Sequence, residues 1–252
     1  TAGVDFSEYR VWMESRGIDT RYIRDIPGKH TASFFVNTDL ENNQIASFYT
    51  GAMADASLFT LASVPADEID YLVISPNDPA AMRKLSDECV ALGIPYLFDP
   101  SQQVARNPHE DLRAGVEGAH AVFCNEYEFD LLVKHTGFSA RQIDEHVKLL
   151  VITKGENGAT VKSDDRQYQI PVVPAARIAD PTGVGDAFRG GFLRGYRLGL
   201  DLQTCGQMGA LSATYCLEQN GPSNHTYTIQ EYIKRYREFF DDDGALDILN
   251  HS

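Results

Sequence analysis

The stretch Tyr71-Leu-Val-Ile-Ser75-Pro-Asn-Asp78-Pro79 introduces a regular pattern into this sequence. It begins with a continuous apolar run that includes β-branched residues, which is typical of a strand buried on both faces. Asp78 and Pro79 then supply a helix cap and a proline at the first helical position, so we predict a helix that continues to Leu92. A buried strand followed directly by a helix is the building unit of an α/β fold.

The same pattern continues towards the C-terminus. Apolar strands are predicted at Ile94–Phe98, Ala121–Cys124 and Leu149–Thr153, with helices at 110–117, from Asn125 and from Ser139 between them. Continuous apolar strands alternating with helices indicate a mostly parallel sheet that is covered on both faces. Two further strands (159–162 and 166–170) and three helices (184–198, 201–218 and 229–240) complete the predicted elements.

The residues before Tyr71 follow a different pattern. A helix is predicted over Phe6–Ser15, and β-branched and aromatic segments at 31–38 and 44–50 are joined by the polar residues 39–43, which predicts an antiparallel hairpin. We interpret this hairpin as a lid. The predicted organisation is an N-terminal part of the α/β body at 1–30, a β-lid at 31–50 and the main α/β body at 51–252.

Composition excludes several classes of protein. The 252 residues include 36 acidic and 22 basic side chains, a net charge of −14, and this acidic surface disfavours binding to nucleic acid. Four widely spaced cysteines indicate neither a disulfide framework nor a zinc site, so a reducing cytoplasm is expected. No apolar run approaches the roughly 20 residues of a membrane span.

The most informative motif is Asp180-Pro-Thr-Gly-Val-Gly-Asp186-Ala-Phe-Arg-Gly-Gly-Phe-Leu193. Its first glycines stand just before a predicted helix, where unpaired backbone N–H groups and the helix dipole bind anions. A carboxylate in such a site can accept the proton of a hydroxyl group that attacks a phosphoryl group. Taken alone, the motif could equally be a glycine-rich turn in which Asp186 only stabilises the helix N-terminus.

Over its whole length, however, the motif resembles the C-terminal signature of the ribokinase-like (PfkB) family of carbohydrate and nucleoside kinases. The resemblance implies an α/β fold, a three-layer α/β/α sandwich with a mostly parallel sheet and a small β lid, and it places an ATP site in the main body. It also implies that Asp186 is the general base and that the amides of Gly183, Val184 and Gly185 form an anion hole.

Two further segments fit the same family. Asn125-Glu-Tyr-Glu128 stands where the family carries Asn-x-x-Glu, so the resemblance implies that Asn125 faces the ATP phosphates and that Glu128 orders the hydration shell of Mg²⁺. A helix cap followed by a first-turn glutamate would explain both residues without a ligand. Thr153-Lys154-Gly155-Glu-Asn-Gly158 resembles the turn that lies under the nucleotide, and Lys154 adds a positive charge there.

The resemblance also implies ligands for a monovalent cation. Asp180 and Thr182 match positions at which many family members bind potassium beside the anion hole. Pro181 departs from the common Asp-Thr-Thr pattern, and potassium activation therefore stays open.

For the phosphoryl acceptor, residues 44–53, 99–106 and 180–189 together resemble the bacterial adenosine kinases of this family. Phe34 and Phe48 match positions where those kinases stack on adenine, although simple packing within the hairpin would also explain them. Gln102, Gln103 and Arg106 follow the end of a strand, where open α/β sheets bind ligands, and Arg106 matches an arginine near the substrate; a solvated loop cation is the alternative.

The sequence therefore predicts an ATP- and Mg²⁺-dependent kinase that phosphorylates the 5′-hydroxyl of adenosine. A sugar kinase of the same fold and a non-catalytic nucleoside-binding protein are the alternatives. The family's first strand, with its sugar-binding aspartate, and its Gly-Gly segment have no match here, so about 60 to 70 residues are expected to precede Thr1. A small-molecule substrate and a homodimer that forms through the lid are the expected partners.

Overall fold

The computed structural model describes residues 1–38 and 44–251. The chain divides into two compact units, Thr1–Ala119 and His120–Ser252. The predicted connection of the hairpin at 39–43 lies outside the described residues. Among the described helices, none combines the length and the apolar character that crossing a membrane requires.

The first unit contains the hairpin and the first strand–helix repeats. Its parallel strands β3 and β4 pair Leu72 with Tyr96 and Ile74 with Phe98. Asp78 caps helix α2, as predicted, and its side chain accepts a hydrogen bond from the Ala81 N–H. The described elements are α1 (Ser7–Glu14), β1 (Ser33–Thr38), β2 (Gln44–Tyr49), 3₁₀ turns over Gly51–Leu58, Leu61–Ser63, Ala66–Glu68 and Ser101–Ala105, β3 (Leu72–Ile74), α2 (Pro79–Leu92), β4 (Tyr96–Phe98) and α3 (His109–Glu117).

The β1–β2 hairpin is antiparallel, as predicted, and Phe34 lies directly opposite Phe48. Its two ends are fastened together, because the Ala52 N–H donates to the His30 carbonyl at 2.9 Å. Gly51 makes this closure possible, since a Cβ atom there would lie 2.2 Å from the His30 carbonyl oxygen. The hairpin thus begins and ends at one point of the first unit.

The second unit contains four paired strands. Strands β5 and β6 are parallel and almost entirely buried, whereas β7 and β8 run antiparallel. The predicted strands and helices of this unit are confirmed within a few residues at each end. The described elements are β5 (Ala121–Asn125), α4 (Glu126–Thr136), α5 (Ala140–His146), β6 (Leu149–Thr153), β7 (Ala159–Ser163), β8 (Arg166–Ile170), α6 (Val184–Arg197), α7 (Leu202–Leu217), α8 (Ile229–Arg237) and 3₁₀ turns at Gly155–Asn157 and Ala245–His251.

Helices α6 and α7 pack very closely, which fixes the start of α6. A Cβ atom at Gly191 would lie 2.6 Å from the Met208 carbonyl oxygen, and one at Gly209 would lie 2.9 Å from that of Phe188. Only glycine allows this approach of two backbones. The motif glycine Gly191 therefore serves helix packing.

The C-terminal end of α7 is held by an ion pair. Arg235 on α8 donates to both carboxylate oxygens of Glu218, at 2.8 and 2.6 Å, and the Ala176 N–H donates to the same carboxylate at 2.7 Å. The two side chains are only 19% and 12% exposed. The hydrogen bonds from Arg235 lower the pKa of Glu218, so this charge connects α7, α8 and the segment before the signature motif.

Glu218→Gln should lower the free energy of unfolding at neutral pH by about 3 kcal/mol, because it leaves the buried Arg235 cation without its counter-charge. The loss should shrink as the pH falls through the lowered pKa of Glu218, where the wild-type carboxylate is itself protonated. Urea unfolding followed by circular dichroism measures both effects.

Glu145→Gln is the matched control. Its partner Arg141 is 86% exposed and Glu145 is 56% exposed, so its loss should cost at most about 0.5 kcal/mol. Equal losses in the two variants would show that the Glu218 pair does not anchor α7.

Candidate active site

The turn before α6 is held by the end of α7. The Ala179 and Asp180 N–H groups both donate to the Leu217 carbonyl, at 2.9 and 3.3 Å. One carboxylate oxygen of Asp180 accepts the Thr182 N–H at 2.9 Å, and the other accepts the Gly221 N–H at 3.0 Å. These bonds lower the pKa of Asp180, so the carboxylate is ionised and ties the turn to the segment after α7.

Gly183 forms the sharpest point of this turn. Its φ of 79° lies in the left-handed region, and a Cβ atom would lie 2.4 Å from the Cβ of Pro222. Helix α6 begins at Val184, and the Ala187 N–H donates to the Gly183 carbonyl at 2.9 Å. The Val184 N–H, predicted to line the anion hole, donates to the Pro181 carbonyl at 3.4 Å. The amides of Gly185 and Asp186 precede the Ala187 bond at the positive end of the helix dipole, where an anion is bound most favourably.

Gly185 differs from Gly183. Its backbone is helical, and a Cβ atom there would meet nothing within 4 Å. The absence of a side chain therefore leaves open space beside the helix start.

Asp186 lies in the first turn of α6, and 74% of its side chain is exposed. Partial loss of hydration raises its pKa. Arg189, one turn further along the same helix, donates to its Oδ1 atom, and this cation acts in the opposite direction by favouring the ionised carboxylate. The side chain is thus both accessible and partnered.

Cys216, near the end of α7, connects this turn to the segment after α7. Its thiol is buried and donates to the Thr182 carbonyl at 3.5 Å and to the Pro222 carbonyl at 3.7 Å. Burial raises the pKa of this thiol, and the charges of Asp180 and Asp186 add to the effect. Neither Cys216 nor Gly221 carries a local sequence signal, whereas the i, i+3 spacing of Asp186 and Arg189 could have identified that pair.

The predicted potassium ligands Asp180 and Thr182 also bind donors of the protein. Both carboxylate oxygens of Asp180 accept backbone N–H groups, and the Thr182 carbonyl accepts the Cys216 thiol. Each of these oxygens accepts one hydrogen bond and has a second lone pair, so potassium binding stays a prediction.

Asn125 and Thr153 lie side by side, because they are register partners at the carboxyl ends of β5 and β6. Asn125 and Glu128 form a capping box: the Asn125 Oδ1 accepts the Glu128 N–H, and the Glu128 Oε2 accepts the Asn125 N–H, both at 2.8 Å. The alternative explanation as a helix cap is thus confirmed as one role of these residues. The cap uses the side-chain carbonyl oxygen of Asn125 and not its NH₂ group.

The turn after β6 is compact. The Lys154 N–H donates to the Gly158 carbonyl at 2.7 Å, and Gly155 and Gly158 have φ values of 54° and 82°. A Cβ atom at Gly158 would lie 2.0 Å from the Ile170 carbonyl oxygen. Lys154 is half-buried beside Thr153 at this strand end.

The expected Mg²⁺ involves few protein ligands. Over residues 1–38 and 44–251, no group of three or more His, Cys, Asp or Glu side chains could hold a metal ion. Mg²⁺ in phosphoryl-transfer sites usually keeps several waters and binds one or two carboxylates together with substrate phosphates. A single half-buried carboxylate such as Glu128 fits that pattern.

The predicted acceptor residues all lie in the first unit. Gln102, Gln103 and Arg106 share the turn that follows β4, with Gln102 and Arg106 exposed. The Gln103 Nε2 donates to the Asn77 carbonyl at 2.7 Å, so part of this side chain serves the fold. Phe34 and Phe48 form a cross-strand pair on one face of the hairpin, 54% and 45% exposed.

Comparison with known proteins agrees with this arrangement. Residues 1–229 match the pfkB family carbohydrate kinases. A nucleoside kinase of Methanothermobacter thermautotrophicus is 32% identical over 240 residues, which cover 93% of this chain and 76% of that protein.

Two solved structures are similar over nearly the whole chain. The Burkholderia thailandensis nucleoside kinase in complex with inosine has a TM-score of 0.91 and 34% identity, over 95% of this chain and 80% of that one. The Methanocaldococcus jannaschii nucleoside kinase, described as an archaeal member of the ribokinase family, has a TM-score of 0.88 and 28% identity, over 94% and 79% of the two chains.

The chain belongs to the PfkB family of carbohydrate kinases and has the ribokinase fold, an α/β fold with a mostly parallel sheet. It is a phosphotransferase that acts on a hydroxyl group.

The two signature glycines should respond differently to substitution. Gly185→Ala should fold normally but lower kcat/KM by about a hundredfold, because the methyl group displaces the phosphoryl group from the amides. Gly183→Ala should also destabilise the protein by about 1 kcal/mol or more, since alanine is strained at this positive φ. Thermal unfolding and steady-state kinetics separate the two effects.

Gly190→Ala is the control on the same helix. A Cβ atom there also meets nothing within 4 Å, so we expect wild-type kinetics and a gain in helix stability of about 0.5 kcal/mol. Wild-type kinetics for Gly185→Ala would contradict a role for this open space in catalysis.

Proposed function

We propose that this protein is a nucleoside kinase that transfers the γ-phosphoryl group of ATP to the 5′-hydroxyl of a purine nucleoside, with adenosine as the leading acceptor. The observation that carries the proposal is the accessible Asp186 carboxylate in the first turn of α6, beside the open space that Gly185 leaves at the helix start. The similarity to nucleoside kinases over more than nine-tenths of the chain supports a nucleoside acceptor.

In this proposal, Asp186 accepts the proton of the acceptor hydroxyl as its oxygen forms a bond with the γ-phosphorus. The bond between the γ-phosphorus and the bridging oxygen breaks, and its electron pair leaves with ADP. The amides at the start of α6 stabilise the negative charge on the transferred group. A protein that only binds nucleosides would gain nothing from a carboxylate at this place.

The second unit supplies the proposed nucleotide contacts. The Asn125 amide, Thr153 and the Lys154 cation stand at the ends of β5 and β6, where they can bind phosphates and offset their charge. Mg²⁺, with Glu128 ordering its hydration shell, would neutralise charge on the phosphates when bound.

The first unit supplies the proposed acceptor contacts. An exposed pair of phenylalanines on one hairpin face offers a flat apolar surface, which suits a purine base better than a free sugar. Gln102 and Arg106, both exposed on the turn after β4, provide polar groups for the ribose. Gln103 would contribute through the atoms that its bond to Asn77 leaves available.

The opposite face of the hairpin is apolar and bears on the assembly of the protein. Phe35, Ile45 and Tyr49 are exposed there, and an isolated two-stranded hairpin is marginal in water. This apolar face supports the homodimer expected through the lid.

Four free, buried cysteines support a reducing cytoplasmic location.

Asp186→Asn should lower kcat by at least about a thousandfold, because an amide cannot accept the hydroxyl proton. Binding of ATP should change by less than about threefold, since the amides at the helix start stay in place. Calorimetry with ATP and a coupled ADP assay measure the two quantities in the full-length protein. Near-normal turnover would refute the role of Asp186.

Acceptor preference tests the choice of a nucleoside. In side-by-side assays with adenosine, inosine, ribose and fructose, a purine nucleoside should exceed ribose in kcat/KM by about a hundredfold or more, because only the nucleosides carry a base that can stack. Phe48→Ala should reduce this ratio, while Phe35→Ala, on the other hairpin face, should not. Preference for a free sugar would favour the sugar-kinase alternative, and tight adenosine binding without ADP formation would favour the non-catalytic one.

A further inference from the structure

Arg189 and Asp186 form an ion pair to which the family resemblance assigns no role. The guanidinium donates through Nη2 to the Oδ1 atom of Asp186. The arginine is only 18% exposed although its partner is 74% exposed. A largely buried cation that reaches out to an accessible carboxylate differs from an ordinary surface pair, in which both side chains are solvated.

The surroundings of Asp186 make this cation important. The charges of Asp186 and of Asp180, on the preceding turn, both act on the Cys216 thiol of α7, and Arg189 on α6 itself donates to the Asp186 carboxylate. Of these groups only Arg189 is positive, and it lies in a chain with a net charge of −14. Burial lowers the pKa of Arg189 to about 10, so it remains a cation at neutral pH.

We propose that Arg189 is a positioning residue for the phosphoryl transfer, which holds the Asp186 carboxylate in one orientation and keeps it ionised. This inference rests on the proposed role of Asp186 as general base. Arg189 need not touch the acceptor or the nucleotide. Its hydrogen bond restricts the rotation of the exposed Asp186 side chain. Its charge lowers the pKa of Asp186 and so opposes the effect of partial dehydration on that carboxylate.

Both consequences follow from simple electrostatics. An ionised carboxylate accepts the hydroxyl proton, whereas a protonated one cannot. A cation in hydrogen-bonding contact lowers the pKa of a carboxylate by about 1 to 3 units. Without it, partial burial would act alone, and Asp186 would stay protonated to a higher pH.

The test compares Arg189→Gln and Arg189→Lys with the wild type in the full-length protein. We expect Arg189→Gln to lower kcat about tenfold or more, as for a base that loses its orientation, with KM for ATP and acceptor changed by less than about threefold. The acid limb of the kcat/KM profile should move up by about one pH unit, because the neutral amide no longer favours the carboxylate. Arg189→Lys should restore the position of the acid limb but only part of kcat, since it keeps the charge and loses the planar fork.

Arg141→Gln is the control, because it removes an exposed partner of a helical ion pair, Arg141–Glu145, in the same unit. It should leave kcat and the pH profile unchanged. A wild-type acid limb in Arg189→Gln would overturn the proposal. Equal losses of kcat in Arg189→Gln and Arg189→Lys at every pH would also overturn it. If Arg189→Gln fails to fold, the lysine variant decides alone: its acid limb must coincide with that of the wild type.

Failure of this inference is distinct from failure of the proposed function. If Asp186→Asn abolishes transfer and Arg189→Gln leaves the acid limb unchanged, Asp186 is the base and Arg189 does not position it. If Asp186→Asn retains transfer, the assigned base is wrong and the inference falls with it.

Discussion

The site depends on the hydrogen bonds with which the end of α7 holds the turn before α6. The Leu217 carbonyl, the Gly221 N–H and the Cys216 thiol bind three successive parts of the turn, from Ala179 to Thr182. Gly183 then reverses the chain against Pro222. Without these bonds the first amides of α6 would have no fixed direction, and an anion site made of backbone groups would lose its geometry.

The same bonds explain how an acidic protein can handle phosphates. The chain has no excess of positive charge to attract them, with a net charge of −14. Backbone N–H groups and a helix dipole bind an anion without a basic side chain. The two cations assigned to the proposed site lie in the second unit: Lys154 begins the glycine-containing turn after β6, and Arg189 lies in the helix that follows Gly183.

Local signals predicted much of the fold. The apolar runs at 121–124 and 149–152 are buried strands, and the caps at Asp78, Asn125 and Ser139 begin helices where the sequence placed them. These features depend on neighbours within a few residues, so the sequence contains them directly. β7 and β8 were predicted only as strands, and the structure shows that they pair antiparallel.

The candidate site was predictable only in part, and Asn125 shows why. Its type and position fit both a helix cap and a phosphate ligand, and the capping box with Glu128 shows that one residue can serve the fold while an amide group remains for a ligand. Gln103 shows the opposite case, because its amide binds the Asn77 carbonyl from another loop. A sequence pattern does not distinguish these cases, since the partner of Gln103 lies 26 residues away in the chain.

The sequence by itself determined the family, the order of strands and helices, and the place of Asp186 at a helix start, because each is encoded by contiguous residues. Only the tertiary structure decided what surrounds that carboxylate. Cys216 and Gly221 reach the turn over more than 30 residues of chain, and whether Arg189 turns towards Asp186 or away from it depends on the packing around α6. Contacts between distant segments form only when the chain is folded, so no local pattern records them.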